Sequence, residues 1–231
     1  MLERVGSLQR YLLGLRLYRK YQSATMIPKR DYVANVSLVA NFLRRPQLAD
    51  GAIIECGTWR GGMAAALIEI GGPCRDYHFF DSFEGLPPPT ERDGDQAADW
   101  RRNAGSPMAA YFDNCTATLD EFESTIALAR PDPARVHIHK GIFESTLQEF
   151  VPPAIAVLRL DGDWYDSTMI CLRKFWSHVL PGGIIIVDDY FAWDGCTRSV
   201  HEFLSSTNAT ERIRHTRRGQ VAFIEKHGTG V

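Results

Sequence analysis

The chain has 231 residues, of which 45% are apolar and 23% charged, a composition typical of one soluble globular domain. Its 26 basic and 28 acidic residues nearly cancel, so it lacks the excess of Lys and Arg that nucleic acids and anionic membranes attract. Five cysteines without a CxxC pair indicate neither a disulfide framework nor a thiolate zinc site. We therefore expect a cytoplasmic protein that has no membrane span and does not bind nucleic acid.

The chain begins with an amphipathic, basic helix. Leucines recur at helical spacing over residues 2–20, with Arg4, Arg10 and Arg16 between them. Such a helix packs on its domain, contacts a second copy of the chain or lies on a membrane surface, and the lack of a Trp or Phe anchor favours the first two. We predict a helical appendage over 1–24, a main domain over 25–231 and a homo-oligomer, with a dimer as the simplest form.

From residue 31 onward, helices and apolar strands alternate. The predicted helices cover 31–45, 63–70, 111–129, 147–150, 168–179 and 197–204. The predicted strands cover 52–54, 77–80, 136–139, 154–160, 184–187 and 221–224. Continuous apolar strands between helices predict a mostly parallel sheet with helices on both faces. The fold class is therefore doubly wound α/β, in which ligands bind at the carboxyl ends of the strands.

One stretch, residues 87–110, breaks this alternation. It contains three consecutive prolines, several acidic residues and no apolar period. Loops of this length within a compact domain are usually functional. We interpret the stretch as a lid that follows the second strand, with a disordered insertion as the alternative.

Acidic residues follow four of the predicted strands. Glu55 ends the first strand and Asp81 the second, while Asp161 and the pair Asp188 and Asp189 end two later, buried strands. Because the carboxyl ends of parallel strands meet at one edge of a sheet, we expect these carboxylates to line a single crevice.

A turn with Gly57, Gly61 and Gly62 links the first strand to the next helix. This arrangement lets the backbone approach a nucleotide cofactor, and it also occurs as a purely structural turn. Trp59 stands where the dinucleotide fingerprint has its second glycine, which disfavours a pyrophosphate. Asp81 lies where a carboxylate accepts hydrogen bonds from ribose hydroxyls. Together these residues favour a nucleoside cofactor without phosphates, such as adenosine joined to methionine.

The second acidic group, Asp161, Asp163, Asp188 and Asp189, is the more specific signal. Buried carboxylates repel one another unless a positive charge lies between them. A divalent cation is the simplest such charge, and a motif of carboxylates without His or Cys prefers Mg²⁺, with Mn²⁺ or Ca²⁺ as alternatives. The competing interpretation is that some of these residues cap helices, as Asp163 would for a helix that begins near Ser167.

Five motifs in order support a resemblance to a known family. They are ECGTWRGG at 55–62, FDSFEGLP at 80–87, KGIFESTL at 140–147, LRLDGDWYDST at 158–168, and PGG at 181–183 with VDDY at 187–190. Over about residues 25–223 the sequence resembles the macrocin O-methyltransferase family, whose members use S-adenosylmethionine and a metal ion to methylate sugar hydroxyls of natural products. The resemblance implies a Rossmann-like methyltransferase sheet and a small-molecule glycoside as acceptor.

The resemblance also implies roles for individual residues. Asp161, Asp188 and Asp189 would hold Mg²⁺, and Asp163 would be the general base. Segment 87–110 aligns least with the family, so the resemblance implies least about which acceptor is methylated. The implied cofactor contacts are Met26, Glu55, Gly57, Thr58, Gly61, Gly62, Asp81, Ser82, Gly141, Ile142, Phe143 and Asp161.

The expected reaction is methyl transfer to one of two vicinal hydroxyls that chelate the cation, with Asp163 taking the proton. Three alternatives remain open. A catechol would chelate the same cation through an aromatic diol, a nucleotide-dependent dehydrogenase would use Gly57 and Asp81, and a non-catalytic binding protein would keep only the fold. His137 and His139 share one face of a predicted strand, and we interpret them as a solvated or lid-facing pair rather than as metal ligands.

Overall fold

The computed structural model describes residues 2–103, 114–217 and 220–228. Its α-helices are α1 (Leu2–Tyr21), α2 (Lys29–Phe42), α3 (Gly62–Gly71), α4 (Gly94–Arg102), α5 (Leu119–Ala127), α6 (Phe143–Thr146), α7 (Tyr165–Phe175) and α8 (Asp194–Ser206). Its strands are β1 (Ala52–Cys56), β2 (Tyr77–Asp81), β3 (Val136–Lys140), β4 (Ile155–Leu160), β5 (Val179–Val187), β6 (Ile213–His215) and β7 (Ala222–Glu225).

The strands form one sheet in the order β3-β2-β1-β4-β5-β7-β6. Strands β1 to β5 pair in parallel, while β7 pairs antiparallel with both β5 and β6. The strand order reverses direction between β1 and β4, which is where open α/β sheets bind ligands. The predicted doubly wound, mostly parallel fold is confirmed, and the sequence did not reveal the short edge strand β6.

Two apolar cores lie on opposite faces of the sheet. The first buries Val36 of α2, Leu67 of α3 and Phe122 of α5 against inward-facing residues of the strands. The second buries Leu172 of α7 and Val200 of α8 against the alternate strand residues. Successive side chains of a strand point to opposite faces, so strands that are apolar throughout supply both cores.

Helix α1 is attached to the domain by its C-terminal half. Leu17 and Tyr21 are fully buried there, and the Tyr21 hydroxyl and the Lys20 ammonium each contact a carboxylate oxygen of Glu69, at 2.6 and 2.7 Å. Leu8 and Leu12 are exposed, at 59% and 54%. Among the helices that the structure describes, not one has the length and apolar character that crossing a bilayer requires.

Several predicted boundaries are wrong for local reasons. The helix predicted over 111–129 begins at Leu119, because Thr118 and Glu121 form a reciprocal capping box there; residues 111–113 lie outside the described ranges. The helical fragment predicted at 147–150 is α6, four residues earlier. The helix predicted over 168–179 gives way to a short 3-10 helix and then to β5, which includes the segment Pro181 to Gly183 that we expected to precede the strand.

Segment 87–110 is structured as far as it is described. A 3-10 helix over Glu91–Asp93 leads directly into α4, and Thr90 caps it in a box with Asp93. Asp93 is almost fully buried, and one of its oxygens accepts a hydrogen bond from the Tyr165 backbone N–H at 2.7 Å. Residues 87–103 are therefore joined to the start of α7, whereas 104–110 lie outside the described ranges.

Candidate functional site

A cavity of about 1130 Å³ opens at the carboxyl ends of the parallel strands. Its volume exceeds the roughly 300–1,000 Å³ of a pocket for one drug-sized ligand, so it has room for two small molecules together. The predicted site residues on its wall are Met26, Glu55, Gly57, Thr58, Asp81, Ser82, Gly141, Ile142, Phe143, Asp161, Asp163, Asp188 and Asp189. Carboxylates from four strand ends thus share one cavity, as the strand pattern predicts.

Gly57 is required by the approach of two strand ends. Its φ is +84°, and a Cβ atom there would lie 1.8 Å from the backbone oxygen of Asp161. The Asp161 N–H in turn donates to the Cys56 carbonyl at 2.8 Å. The end of β1 and the end of β4 are therefore in direct backbone contact.

Gly61 and Gly62 support the turn from behind and do not line the cavity. A Cβ atom on Gly61, whose φ is +83°, would meet the Phe122 ring, and one on Gly62 would lie 2.5 Å from the Ala24 carbonyl oxygen. Their contacts are therefore with α5 and with the segment before α2. This arrangement places the two glycines in the packing of the turn.

Asp81 holds the turn in place. One of its oxygens accepts hydrogen bonds from the backbone N–H groups of Thr58 and Trp59, at 2.7 and 2.9 Å, and the other accepts from Phe83 N–H at 2.7 Å. Trp59 and Phe83 both have positive φ angles, so the carboxylate stabilises two backbone conformations that non-glycine residues rarely adopt. Asp81 also faces the cavity, where carboxylate lone pairs remain for a further donor.

A buried arginine joins three of the carboxylates. The Arg159 guanidinium lies 2.8 Å from an oxygen of Glu55, 2.8 Å from one of Asp161 and 2.7 Å from one of Asp188, with its side chain 1% exposed. Glu55 stands directly opposite Arg159 in the β1 and β4 register. Sequence reasoning missed this residue, although a single base in an apolar strand two positions before Asp161 shares its face of the strand. Part of the positive charge that the carboxylates require therefore comes from the protein.

One guanidinium does not balance the acidic centre. Burial raises the pKa of Glu55 to about 8, although the nearby positive charge of Arg159 acts to lower it. Burial and then the charge of Asp161 raise the pKa of Asp163 to about 7, and burial raises that of Asp188 to about 6. Burial and then the charge of Asp163 raise the pKa of Asp189 well above its usual range. The centre retains an excess of negative charge that a bound cation would reduce.

Three of these carboxylates could hold a metal ion. Asp161, Asp188 and Asp189 each offer one oxygen, and these oxygens lie within 4.8 Å of one another. Arg159 contacts one oxygen of Asp161 and one of Asp188, and the Asp163 N–H donates to one oxygen of Asp189 at 3.0 Å. Asp161 and Asp189 each keep an oxygen outside these contacts, while Asp188 also has a side-chain hydrogen bond with Asn35. An all-carboxylate donor set fits a hard divalent cation such as Mg²⁺.

Asp163 stands beside this group in an unusual conformation. Its φ is +57°, and one of its carboxylate oxygens accepts a hydrogen bond from the Trp193 indole N–H at 2.9 Å. The Trp193 ring packs edge to face against Trp164 and Trp100, with centroids 5.0 and 6.3 Å away. The sequence pattern gave no indication of Trp193, because it lies 30 residues from Asp163 on a different element.

The histidines set aside in the sequence form a stack at the edge of the sheet. The His78 ring stacks with the rings of both His137 and His139, at centroid distances of 4.5 and 5.4 Å, and one nitrogen of His78 is 3.1 Å from one of His139. All three are half-buried. Burial and then the neighbouring histidines lower the pKa of His78 to about 4.

Comparison with known proteins identifies the family. The profile of the macrocin O-methyltransferase family (TylF) matches residues 20–224. An 8-demethyl-8-(2,3-dimethoxy-alpha-L-rhamnosyl)-tetracenomycin-C 4'-O-methyltransferase of Streptomyces olivaceus is 32% identical over 80% of this chain and 67% of its own length. The mycinamicin III 3''-O-methyltransferase of Micromonospora griseorubida is 30% identical over 77% of this chain and 66% of its own length. The chain thus spans about two thirds of the length of these relatives.

Solved structures agree on the fold. The O-methyltransferase NovP matches with a TM-score of 0.72 and 23% identity, over 89% of this chain and 83% of that protein. The calicheamicin methyltransferase CalS11 matches with a TM-score of 0.55 and 22% identity, over 92% and 91%. With the family profile matched over most of its length, the chain belongs to the macrocin O-methyltransferase family, as its motifs predict.

Proposed function

We propose that the protein transfers the methyl group of S-adenosylmethionine to a sugar hydroxyl of a glycosylated natural product, assisted by a divalent cation. By their names, one relative is a 4'-O-methyltransferase of a tetracenomycin that carries a rhamnosyl group, and another is a 3''-O-methyltransferase of mycinamicin III. The observation that carries the proposal is the position of Asp163 beside the group of Asp161, Asp188 and Asp189, in the same cavity as the glycine turn. The site thus combines a place for the donor, a place for a cation and a base.

The donor pocket fits a cationic methionine. Glu55 is fully buried, and its oxygen Oε2 has no hydrogen-bond partner among the described residues. A buried carboxylate oxygen without a donor is costly, and the ammonium of S-adenosylmethionine would supply one. Asp81 and Ser82 would then contact the ribose, and Gly141 to Phe143 would contact the adenine. Gly61 and Gly62 would contribute indirectly, by holding the turn in place.

Asp161, Asp188 and Asp189 would hold the cation, with Mg²⁺ as the best fit. A bound divalent cation lowers the pKa of a coordinated hydroxyl, which a sugar alcohol needs at neutral pH. Arg159 fixes Asp161 and Asp188 in orientation through ion pairs of 2.8 and 2.7 Å. The chain therefore preorganises two of the three carboxylates before any ligand binds.

Asp163 would be the general base. It accepts the hydroxyl proton while the hydroxyl oxygen bonds to the methyl carbon, and the sulfur keeps the electron pair of the breaking S–C bond. A pKa of about 7 suits a base that works near neutrality. The wall formed by residues 87–103, with Trp100 facing the cavity, would exclude water from the transfer.

The charge of the cavity favours a glycoside over a nucleotide-activated sugar. Among the described lining residues, acidic side chains outnumber basic ones, and Arg159, the one base, is already engaged by three carboxylates. A diphosphate would meet like charge there. Apolar contacts suit an aglycone instead, since Trp100 and the half-exposed Phe191 both line the cavity.

The proposal is tested with three acceptors that share a vicinal diol. Purified protein, S-adenosylmethionine and Mg²⁺ are incubated with a rhamnosyl glycoside, a nucleoside-diphosphate rhamnose or a simple catechol, and products are identified by mass spectrometry. We expect a methylated glycoside whose formation stops when EDTA is added. Turnover of the catechol alone would favour the catechol alternative, and turnover that EDTA does not change would contradict the role of the cation.

The homo-oligomer and the division of the chain at residue 24 stay predictions. Light scattering coupled to size-exclusion chromatography measures the first. Thermal unfolding of a shortened chain that begins at Thr25 tests the second. If residues 25–231 form the main domain, this shortened chain is expected to unfold in one cooperative transition although it lacks α1. Loss of Leu17 and Tyr21 from the core makes a lowered Tm the expected result.

A further inference from the structure

We infer that Trp193 is a positioning residue that orients the Asp163 carboxylate for proton abstraction; the inference rests on the proposed function. The Trp193 indole N–H donates to Asp163 Oδ1 at 2.9 Å, and its side chain is 8% exposed. An indole nitrogen donates and cannot accept, so this bond fixes which carboxylate oxygen is engaged. Oδ2 is then the oxygen that receives the proton of the acceptor hydroxyl.

The backbone on both sides makes this orientation rigid. Asp163 has a φ of +57°, and its N–H donates to an oxygen of Asp189 at 3.0 Å. The backbone N–H of Trp193 donates to the backbone carbonyl of Asp189 at 3.0 Å, so Asp189 contacts both Asp163 and Trp193. A carboxylate held at its backbone and at one oxygen has little rotational freedom left. Alignment of this kind raises the rate of transfer without adding affinity for either substrate.

The same tryptophan connects the base to the segment over the cavity. Trp193 packs against Trp164, whose indole N–H donates to the Pro87 carbonyl at 2.8 Å, and against Trp100 of α4. Trp164 does not line the cavity and makes no hydrogen bond to Asp163 in the described structure. The cluster therefore holds two indole N–H groups that donate to different hydrogen-bond partners. Trp193 donates to the Asp163 carboxylate, and Trp164 donates to the Pro87 carbonyl in the segment over the cavity.

This difference supplies a matched pair of variants. Trp193→Phe and Trp164→Phe each keep an aromatic ring in the cluster and remove one indole donor. We expect Trp193→Phe to lower kcat about tenfold or more while the acceptor KM and the Kd of S-adenosylhomocysteine stay within about twofold. We expect Trp164→Phe to keep kcat within about threefold. A kcat loss in both variants of the same size would show a general effect of the cluster and would overturn the inference.

A second measurement does not depend on turnover. The five tryptophans give five indole N–H signals in ¹⁵N-labelled protein, and the signal absent from Trp193→Phe is that of Trp193. Asp163→Ala is expected to move the Trp193 signal, and to move it further than the Trp164 signal, because of the two it is the Trp193 indole N–H that bonds to the Asp163 carboxylate. An unmoved Trp193 signal would refute the contact.

The two levels of failure are distinguishable. If the wild type methylates a glycoside, Asp163→Asn is inactive and Trp193→Phe keeps its kcat, the inference on Trp193 fails and the proposed function stands. If Asp163→Asn keeps near-normal turnover, or the wild type yields no methylated product, the proposed function itself fails.

Discussion

Replacing Arg159 with Met tests how the acidic centre is stabilised. The substitution keeps an unbranched side chain of similar length and removes a charge that contacts Glu55, Asp161 and Asp188 at 2.7 to 2.8 Å. Breaking a buried ion pair by removing one partner costs about 3–5 kcal/mol, because the remaining charge is left without compensation. At about 2.1 cal/mol/K of unfolding entropy per residue, the 231-residue chain loses about 6–10 °C in Tm.

The loss depends on pH with a definite sign. Burial already raises the folded-state pKa values of Glu55 and Asp188, and without the guanidinium these two values rise further above those of the unfolded chain, near 4. The folded chain then binds more protons than the unfolded chain, so its stability falls as pH rises. We expect the difference in Tm between wild type and Arg159→Met to be larger at pH 7.5 than at pH 5.5, as measured by differential scanning calorimetry.

Arg75→Met is the matched control. Arg75 is also buried, but its guanidinium donates to the carbonyl oxygens of Leu48 and Gly51, which do not titrate. Its loss of Tm is expected to be the same at both pH values. Equal pH dependence in the two variants, or none in Arg159→Met, would refute the view that Arg159 offsets carboxylate charge.

Three further predictions concern the site and the sheet edge. Asp163→Asn is expected to lose about 10²-fold or more in kcat while its Kd for S-adenosylhomocysteine, measured by calorimetry, is unchanged; near-normal turnover contradicts the base. Asp189→Ala is expected to lose Mn²⁺ binding in an electron paramagnetic resonance titration, whereas Asp166→Ala, which removes an exposed carboxylate in the first turn of α7, keeps it; equal affinities contradict the metal group. Because the pKa of folded His78 is lowered from 6.5 to about 4, it contributes stability that is full above pH 6.5 and lost as pH falls toward 4. His78→Phe is expected to flatten that part of the Tm profile, and an unchanged profile contradicts this interpretation of the stack.

The convergence of the carboxylates was predictable because it depends on topology. Glu55 lies near the end of an apolar strand and Asp161 and Asp188 each directly follow one, and parallel strands bring their carboxyl ends to one edge. The motifs added the family, which the comparison confirmed. Neither source of prediction requires knowledge of side-chain contacts.

The contacts that complete the site were not predictable in this way. The ion pair of Arg159 with Glu55 depends on which strands become neighbours, and their positions are 104 residues apart. Trp193 reaches Asp163 only because α8 begins beside the turn after β4. The predicted position of α6 was wrong because the position of a single helical turn depends on packing, which outweighs local helix propensity.

The backbone contact at Gly57 limits how this enzyme could diversify. With only 1.8 Å between a Cβ atom there and the Asp161 carbonyl, a larger residue would displace the strand end that leads to Asp163. Changes to the turn at Gly57 and changes to the acidic centre are thus coupled through the backbone. Phe191, half-exposed on the cavity wall, is under no such backbone constraint, so under the proposed function we expect new acceptor ranges to arise at exposed wall positions of this kind.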